Sequence, residues 1–342
     1  MRASPPVSSL GRILQGLVGM LLAVIGLSCT PIQVWMGWRV RLEKISISAL
    51  SATLPEGGLA PGEKAALVVT LVQPDGAALH TEGSPGGKVL WEDLQLSGTV
   101  AGVSPKGVVS LPSDPRLSDG RTPHLIITVP SHPELRAELD VPVRYDWGFH
   151  ADFSGSPGSS GMDGMAGSDG MSGSSGSSDV NNPSPGGNGS DGGRGSDGDN
   201  GGPGGDAPSL LVNVAFRPGS HPLLQVSVRG GDRIDRFLVD PQGGYLTVKA
   251  DGGAGGSGGH GGRGGRGGFG GSGSPSGSSG SDGSSGSDGW SGSPGRGGSI
   301  TVLYDPSAAP YLGILRLSSQ DGNGRPSGRA PVFLETPMQP LW

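Results

Sequence analysis

Residues 252–273 read GGAGGSGGHGGRGGRGGFGGSG, and residues 277–298 read GSSGSDGSSGSDGWSGSPGRGG. Glycine returns every third residue in both, and the register slips once between them, at Ser274-Pro275-Ser276. An earlier stretch repeats the design, with triplets over 155–176, a break through 178–185, and triplets again over 186–204. The chain therefore carries four glycine-triplet arms of nearly matched length.

A period of three suits an extended threefold helix of the polyproline II type, which makes no internal hydrogen bonds and rises about 3.1 Å per residue. Each arm would then reach roughly 60–70 Å. Its backbone donors and acceptors point sideways, so they must meet water or a neighbouring backbone. A glycine at every third position leaves one bare face along which such a neighbour can approach.

The pattern resembles two architectures, the polyglycine II bundle and the collagen triple helix. Collagen needs three parallel chains rich in proline. Here the arms hold few prolines, chiefly Pro157, Pro203 and Pro294. Two arms joined by a short break form a hairpin and run antiparallel, which suits a bundle better. Arm 252–273 is Gly-Gly-x throughout, with two bare faces, and is expected innermost; arms 155–176 and 277–298 have mostly single glycines and are expected outside. The same Gly/Ser-rich, Asp-dotted composition is also that of flexible linkers.

Ahead of the arms, Arg2 and Arg12 precede an apolar run, Ile13 to Leu27, too short and glycine-interrupted to span a bilayer. Residues 1–28 read as a signal peptide. The run ends Ile25-Gly26-Leu27-Ser28-Cys29, and Cys29 is the one cysteine of the chain. This ending resembles the lipobox of bacterial lipoproteins, with Ser28 in place but Gly26 and Leu27 departing from the usual Leu and small residue. The resemblance implies lipidation at Cys29 and a membrane partner through that anchor, with residues 29–37 as tether. The chain is expected to be exported to the cell envelope, at the outer membrane or cell surface, and by analogy with lipoprotein sorting in Gram-negative bacteria Thr30 after the cysteine permits transfer to the outer membrane.

Residues 38–150 change texture to short alternating runs separated by Gly/Pro turns, the pattern of a β-sandwich. Expected strands are Val40–Ile47, Ala66–Val72, Val89–Leu96, Val108–Leu111, Leu125–Val129 and Leu139–Tyr145. The stretch resembles the immunoglobulin-like modules of bacterial surface proteins, without the Cys and Trp hallmarks of antibody domains. Residues 151–342 add strands at Leu210–Phe216, Leu223–Val228, Ile234–Val239, Tyr245–Lys249, Ile300–Tyr304, Ile314–Leu317 and Val332–Leu334. These form a small β platform that each pair of arms leaves and re-enters. The expected fold is mainly β: a sandwich, then a platform carrying two glycine-rich hairpins.

Chemistry is thin. Gly255–Gly259 matches a nucleophile elbow and Gly253–Ser257 with Gly258 a dinucleotide fingerprint, but both lack the flanking strand and helix that give them meaning. The triplet-position Asp163, Asp169, Asp191, Asp197, Asp199, Asp282 and Asp288 lack the nine-residue phase of calcium-binding repeats. They read as solubilising, with weak attraction to Arg194, Arg263 and Arg266 across arms. The histidines are scattered, so no metal, cofactor or catalytic residues are assigned. Net charge is −6 without basic clusters, which argues against nucleic acid. Met162, Met165 and Met171 share one triplet position and are expected to pack on the β platform or a neighbouring arm, or else to form a sticky stripe.

The chain thus reads as a non-enzymatic envelope lipoprotein with a structural or adhesive role. The alternatives are a module that binds a ligand, receptor, envelope component or ice through the glycine bundle or its tips, and a collagen-like trimer.

Overall fold

The computed structural model describes residues 36, 38–54, 58–219, 221–326 and 330–342. The expected signal peptide and Cys29 lie outside the described residues. The chain is mainly β and divides into two units, the first ending at Arg144 and the second starting at Tyr145.

The described residues of the first unit form three small antiparallel sheets. One joins β1 (Ala49–Thr53), β3 (Val68–Val72) and β4 (Ala78–His80). A second joins β2 (Lys64–Ala66), β7 (Val108–Ser110) and β6 (Gly102–Val103). The third joins β5 (Gln95–Thr99), β8 (His124–Val129) and β9 (His132–Asp140). Alternation decides what is buried: Val69 and Leu71 from β3, and Leu125, Ile127 and Val129 from β8, enter one common core with Leu42, Leu59, Val89 and Val141. Each fully buried aliphatic side chain stabilises the unit by about 1.5–3 kcal/mol.

Several expected strands are redrawn here by specific side chains. Val40–Ile47 keeps only a bridge from Val40 to Val89 and then turns through a 3-10 helix at Leu42–Lys44. Asp93 captures this turn, accepting from Leu42 N at 3.0 Å and from Arg41 at 2.9 Å. Val89–Leu96 is interrupted by a second such turn at Trp91–Asp93. There the Trp91 indole donates to Glu82 O, and its ring lies where a Cβ on Gly107 would stand, at 2.1 Å. Ala66–Val72 splits at buried Leu67 into two strands that serve different sheets. Leu139–Tyr145 instead starts at His132 and ends at Asp140.

The second unit begins before residue 151. Strand β10 (Gly148–Asp152) pairs in parallel with β14 (Tyr245–Lys249), which pairs in parallel with β16 (Leu315–Ser318). A five-stranded mixed sheet has the order β13 (Arg233–Val239), β12 (Leu223–Gly230), β11 (Leu210–Arg217), β15 (Ile300–Tyr304), β17 (Val332–Glu335). Its first three strands are antiparallel, whereas β11, β15 and β17 run parallel. Strand β12 is buried on both faces, which explains an enclosed polar residue: Gln225 donates to Trp342 O at 3.0 Å and accepts from Leu341 N at 2.8 Å, so its amide is satisfied by the last two residues.

The two parallel pairs set the direction of the glycine arms. Strands β10 and β14 lead into arms 155–176 and 252–273, while arms 186–204 and 277–298 return into β11 and β15.

Candidate functional site

The arms have no helix or strand of their own, yet their backbones are hydrogen-bonded to one another at every third residue, at 2.6–3.0 Å. Arm 155–176 donates to arm 252–273 from Gly155 N to Asp251 O, Gly158 N to Ala254 O, and onward in step to Gly176 N and Ser272 O. These two run parallel, continuing the β10–β14 register. Arm 186–204 runs parallel to 277–298, from Gly186 N to Pro275 O through Gly204 N to Ser293 O, and the series passes through Ala207 and Leu210 into β11 and β15.

Antiparallel series close the set. Arm 186–204 donates to 155–176 (Gly187 N to Ser174 O through Gly202 N to Ser159 O), 252–273 donates to 186–204 (Gly253 N to Gly205 O through Gly271 N to Gly187 O), and 277–298 donates to 252–273. Arms 186–204 and 252–273 thus each touch three others, and the single-glycine arms touch two.

Missing Cβ atoms permit this approach. A Cβ on Gly259 would stand 1.9 Å from Met162 O, and one on Gly198 would stand 2.3 Å from Gly259 O. In arm 252–273 the second glycine of every triplet, from Gly253 to Gly271, is buried, while the third position, Ala254 to Phe269, is exposed.

Side chains reinforce the backbone series. Asp163 and Asp169 accept from the N–H groups of His260 and Arg266, each 97 residues away, at 2.8 Å. Asn188, Asp191, Asp197, Asn200 and Asp206 accept from Ser278, Ser281, Ser287, Trp290 and Arg296, each 90 residues away, at 2.6–2.9 Å. Asp282 and Asp288 accept from Gly267 N and Gly261 N. The offsets of 97 and 90 are those of the β10–β14 and β11–β15 pairings, so the platform sets the register in which these groups meet.

Asp163, Asp169, Asp191, Asp197, Asp282 and Asp288 are therefore more than a solubilising fringe: they satisfy N–H groups that the backbone series leaves over, which sequence reasoning missed. The Arg194 pair is formed within its own arm, with Asp197 at 2.9 Å, and not across arms.

Arms 155–176 and 186–204 also match in size. Ser156, Ser159, Ser168 and Ser174 lie opposite Gly205, Gly202, Gly193 and Gly187, where an added Cβ would come within 2.7–3.0 Å of the serine Oγ. Opposite Asp199, Ser196 and Ser190, which do carry a Cβ, stand Met162, Met165 and Met171. A serine hydroxyl would compete with that Cβ for space; the methionines instead extend outward and are 76–81% exposed. The expectation that they pack on a neighbour is overturned. Phe269 and Trp290 are equally exposed, at 78% and 80%.

Elsewhere the first unit has an open groove of about 870 Å³ beside Trp91, lined by Leu90, Leu94, Val103, Lys106 and Pro130. Arg39 at its rim is already engaged by Glu82 and Gly87 O. Among the described residues there is no group of three His, Cys, Asp or Glu side chains able to hold a metal ion. Nor is any helix among them long and apolar enough to cross a membrane. No family model matches the chain, and no curated protein is significantly similar to it.

Proposed function

We propose that the chain is a non-enzymatic cell-envelope lipoprotein, anchored through Cys29 and displaying a rigid polyglycine II-type bundle of two hairpins on a β platform, after an immunoglobulin-like module. Its role is structural or adhesive. The observation that carries the rigid scaffold is the unbroken passage of the β10–β14 and β11–β15 registers into the arms. Strands that hold both ends of each arm pair lower the cost of ordering glycine.

Amide hydrogen exchange on the full chain tests the scaffold, with slow exchange expected at the first glycine of every triplet in arms 155–176 and 186–204. Open-chain rates there would reduce the arms to linkers. A monomeric mass is expected alongside, since the series join arms of one chain and several are antiparallel; a trimer would favour the collagen-like reading. The anchor is tested separately. Cys29→Ala should leave the membrane fraction, and its retention there would sink the lipoprotein reading.

A second reading, a binding module, is favoured by the exposed Met162, Met165, Met171, Phe269 and Trp290, since large apolar groups held out in water on a rigid frame mark interaction surfaces. Ligand, receptor and ice all fall within it.

A further inference from the structure

We infer that the face shared by arms 155–176, 186–204 and 277–298 binds a neutral, extended polysaccharide, with Trp290 as its stacking platform. The inference rests on the binding-module reading above and names its ligand class.

Hydrogen bonds put one row of side chains across this face. Met162 O accepts from Asp199 N at 2.9 Å, the adjacent Asn200 Oδ1 accepts from Trp290 N at 2.7 Å, and Gly201 N donates to Trp290 O at 2.8 Å. The row therefore reads Met162, Asp199, Asn200, Trp290, and all four are exposed. Neighbouring rows repeat at one-triplet intervals, about 9 Å along the arm. Four of them, those of Asn188, Asp191, Asp197 and Asp206, bring a prefixed polar group to the same face.

Three properties select the ligand. The first is preorganisation. Because a backbone N–H holds the Asn200 Oδ1, the amide is fixed with its Nδ2 outward as a donor, and Asp191 and Asp197, held the same way, present a second carboxylate oxygen as acceptor. Fixed donors and acceptors cost little entropy on binding and suit a surface dense in hydroxyls. The second is the exposed indole, which offers a large rigid amphipathic area to the C–H face of a pyranose ring.

The third is charge and shape. Asp191, Asp197, Asp199 and Asp206 outnumber Arg194 and Arg296 on this face, which disfavours an anionic polymer. The rows repeat along an arm of roughly 60–70 Å, which fits a chain of sugars better than a compact ligand. Ice is disfavoured, because protruding Trp and Met side chains break a planar array.

The experiment is retention of the full chain on amorphous cellulose, chitin beads and cross-linked dextran, with heparin-agarose as the anionic comparison. Retention on at least one neutral polymer is expected, falling tenfold or more with Trp290→Ala and several-fold with Asn200→Asp, which keeps the Oδ1 acceptor but removes the outward donor. Exchange at Gly201 N and Gly289 N should be unchanged in both variants, separating lost binding from lost structure. Absence of retention on all three neutral polymers, indifference to Trp290→Ala, or stronger retention on heparin would overturn the inference. Slow exchange in the wild-type arms without retention sinks this ligand alone, whereas fast exchange in those arms sinks the scaffold beneath it.

Discussion

The first unit and the glycine arms solve the same problem with opposite materials. In the first unit, side chains such as Leu71 and Ile127 fill the interior, and the backbone is satisfied within sheets around them. In the arms the backbones themselves are the interior, and almost every side chain is outside. One unit is held by apolar area removed from water, the other by directional bonds that only close approach allows. The map of tolerated substitutions should therefore invert between them: side chains matter in the first unit, and their absence matters in the arms.

The largest effect should come from adding atoms where the arms have none. Gly259→Val places a Cβ 1.9 Å from Met162 O, a contact that only a shift of backbone can relieve. A cost upward of about 3 kcal/mol is expected, with exchange protection falling in all four arms while the first unit is unchanged. Gly313→Ala is the control, because none of the described residues lies within 4 Å of the added atom, and it should change stability by less than about 0.5 kcal/mol. Equal responses would mean that close approach does not hold the arms.

Removing one methyl group from the other unit reverses the locus. Ile127→Val in its core should cost about 1 kcal/mol in a denaturant melt of the first unit and leave arm exchange untouched. Loss of arm protection in this variant would show that the two regions are not energetically separate. A smaller, more local effect is expected from the side-chain acceptors. Asp191→Ala frees Ser281 N, whose protection should fall by roughly three- to tenfold, whereas Asp191→Asn retains an acceptor oxygen and should behave nearly as wild type. If both substitutions act alike, charge rather than geometry is what Asp191 supplies.

The same contrast explains what could be read from the chain unaided. Strands such as β8, β11 and β15 announce themselves by apolar alternation, and the glycine period is visible without any structure. Strands β1, β4 and β6 escape because they are short and carry little apolar contrast, and β10 because it straddles the expected boundary at 150. The roles of Asp163 and Asn200 were hidden for a different reason. Each depends on a partner 97 or 90 residues away, and that offset is set by two parallel strand pairs that the glycine pattern does not encode. The methionines misled because apolar character suggests burial; their positions come from a Cβ on the facing arm.

Within the platform, the two contacts that hold the C-terminal segment on the sheet should part in acid. Asp305 accepts from Met338 N at 3.0 Å and from Ser307 N at 2.9 Å, and these bonds, that from Met338 foremost, hold its carboxyl below the ordinary carboxylate range. A carboxylate depressed in this way stabilises the folded chain above its unfolded value of about 4, and the contribution is lost as pH falls through the lower folded value. Acid should therefore release the terminal segment at Met338 first. Leu341 should stay docked, because neither its backbone N–H nor the neutral Gln225 amide that accepts from it titrates. In a proton–nitrogen NMR titration from about pH 6 to about 2, the Met338 amide should move with a midpoint below about 4 while Leu341 stays in place. Asp305→Asn should abolish that titration without undocking the terminus. Joint release of both residues would mean that Asp305, and not Gln225, holds the C-terminal segment on the sheet.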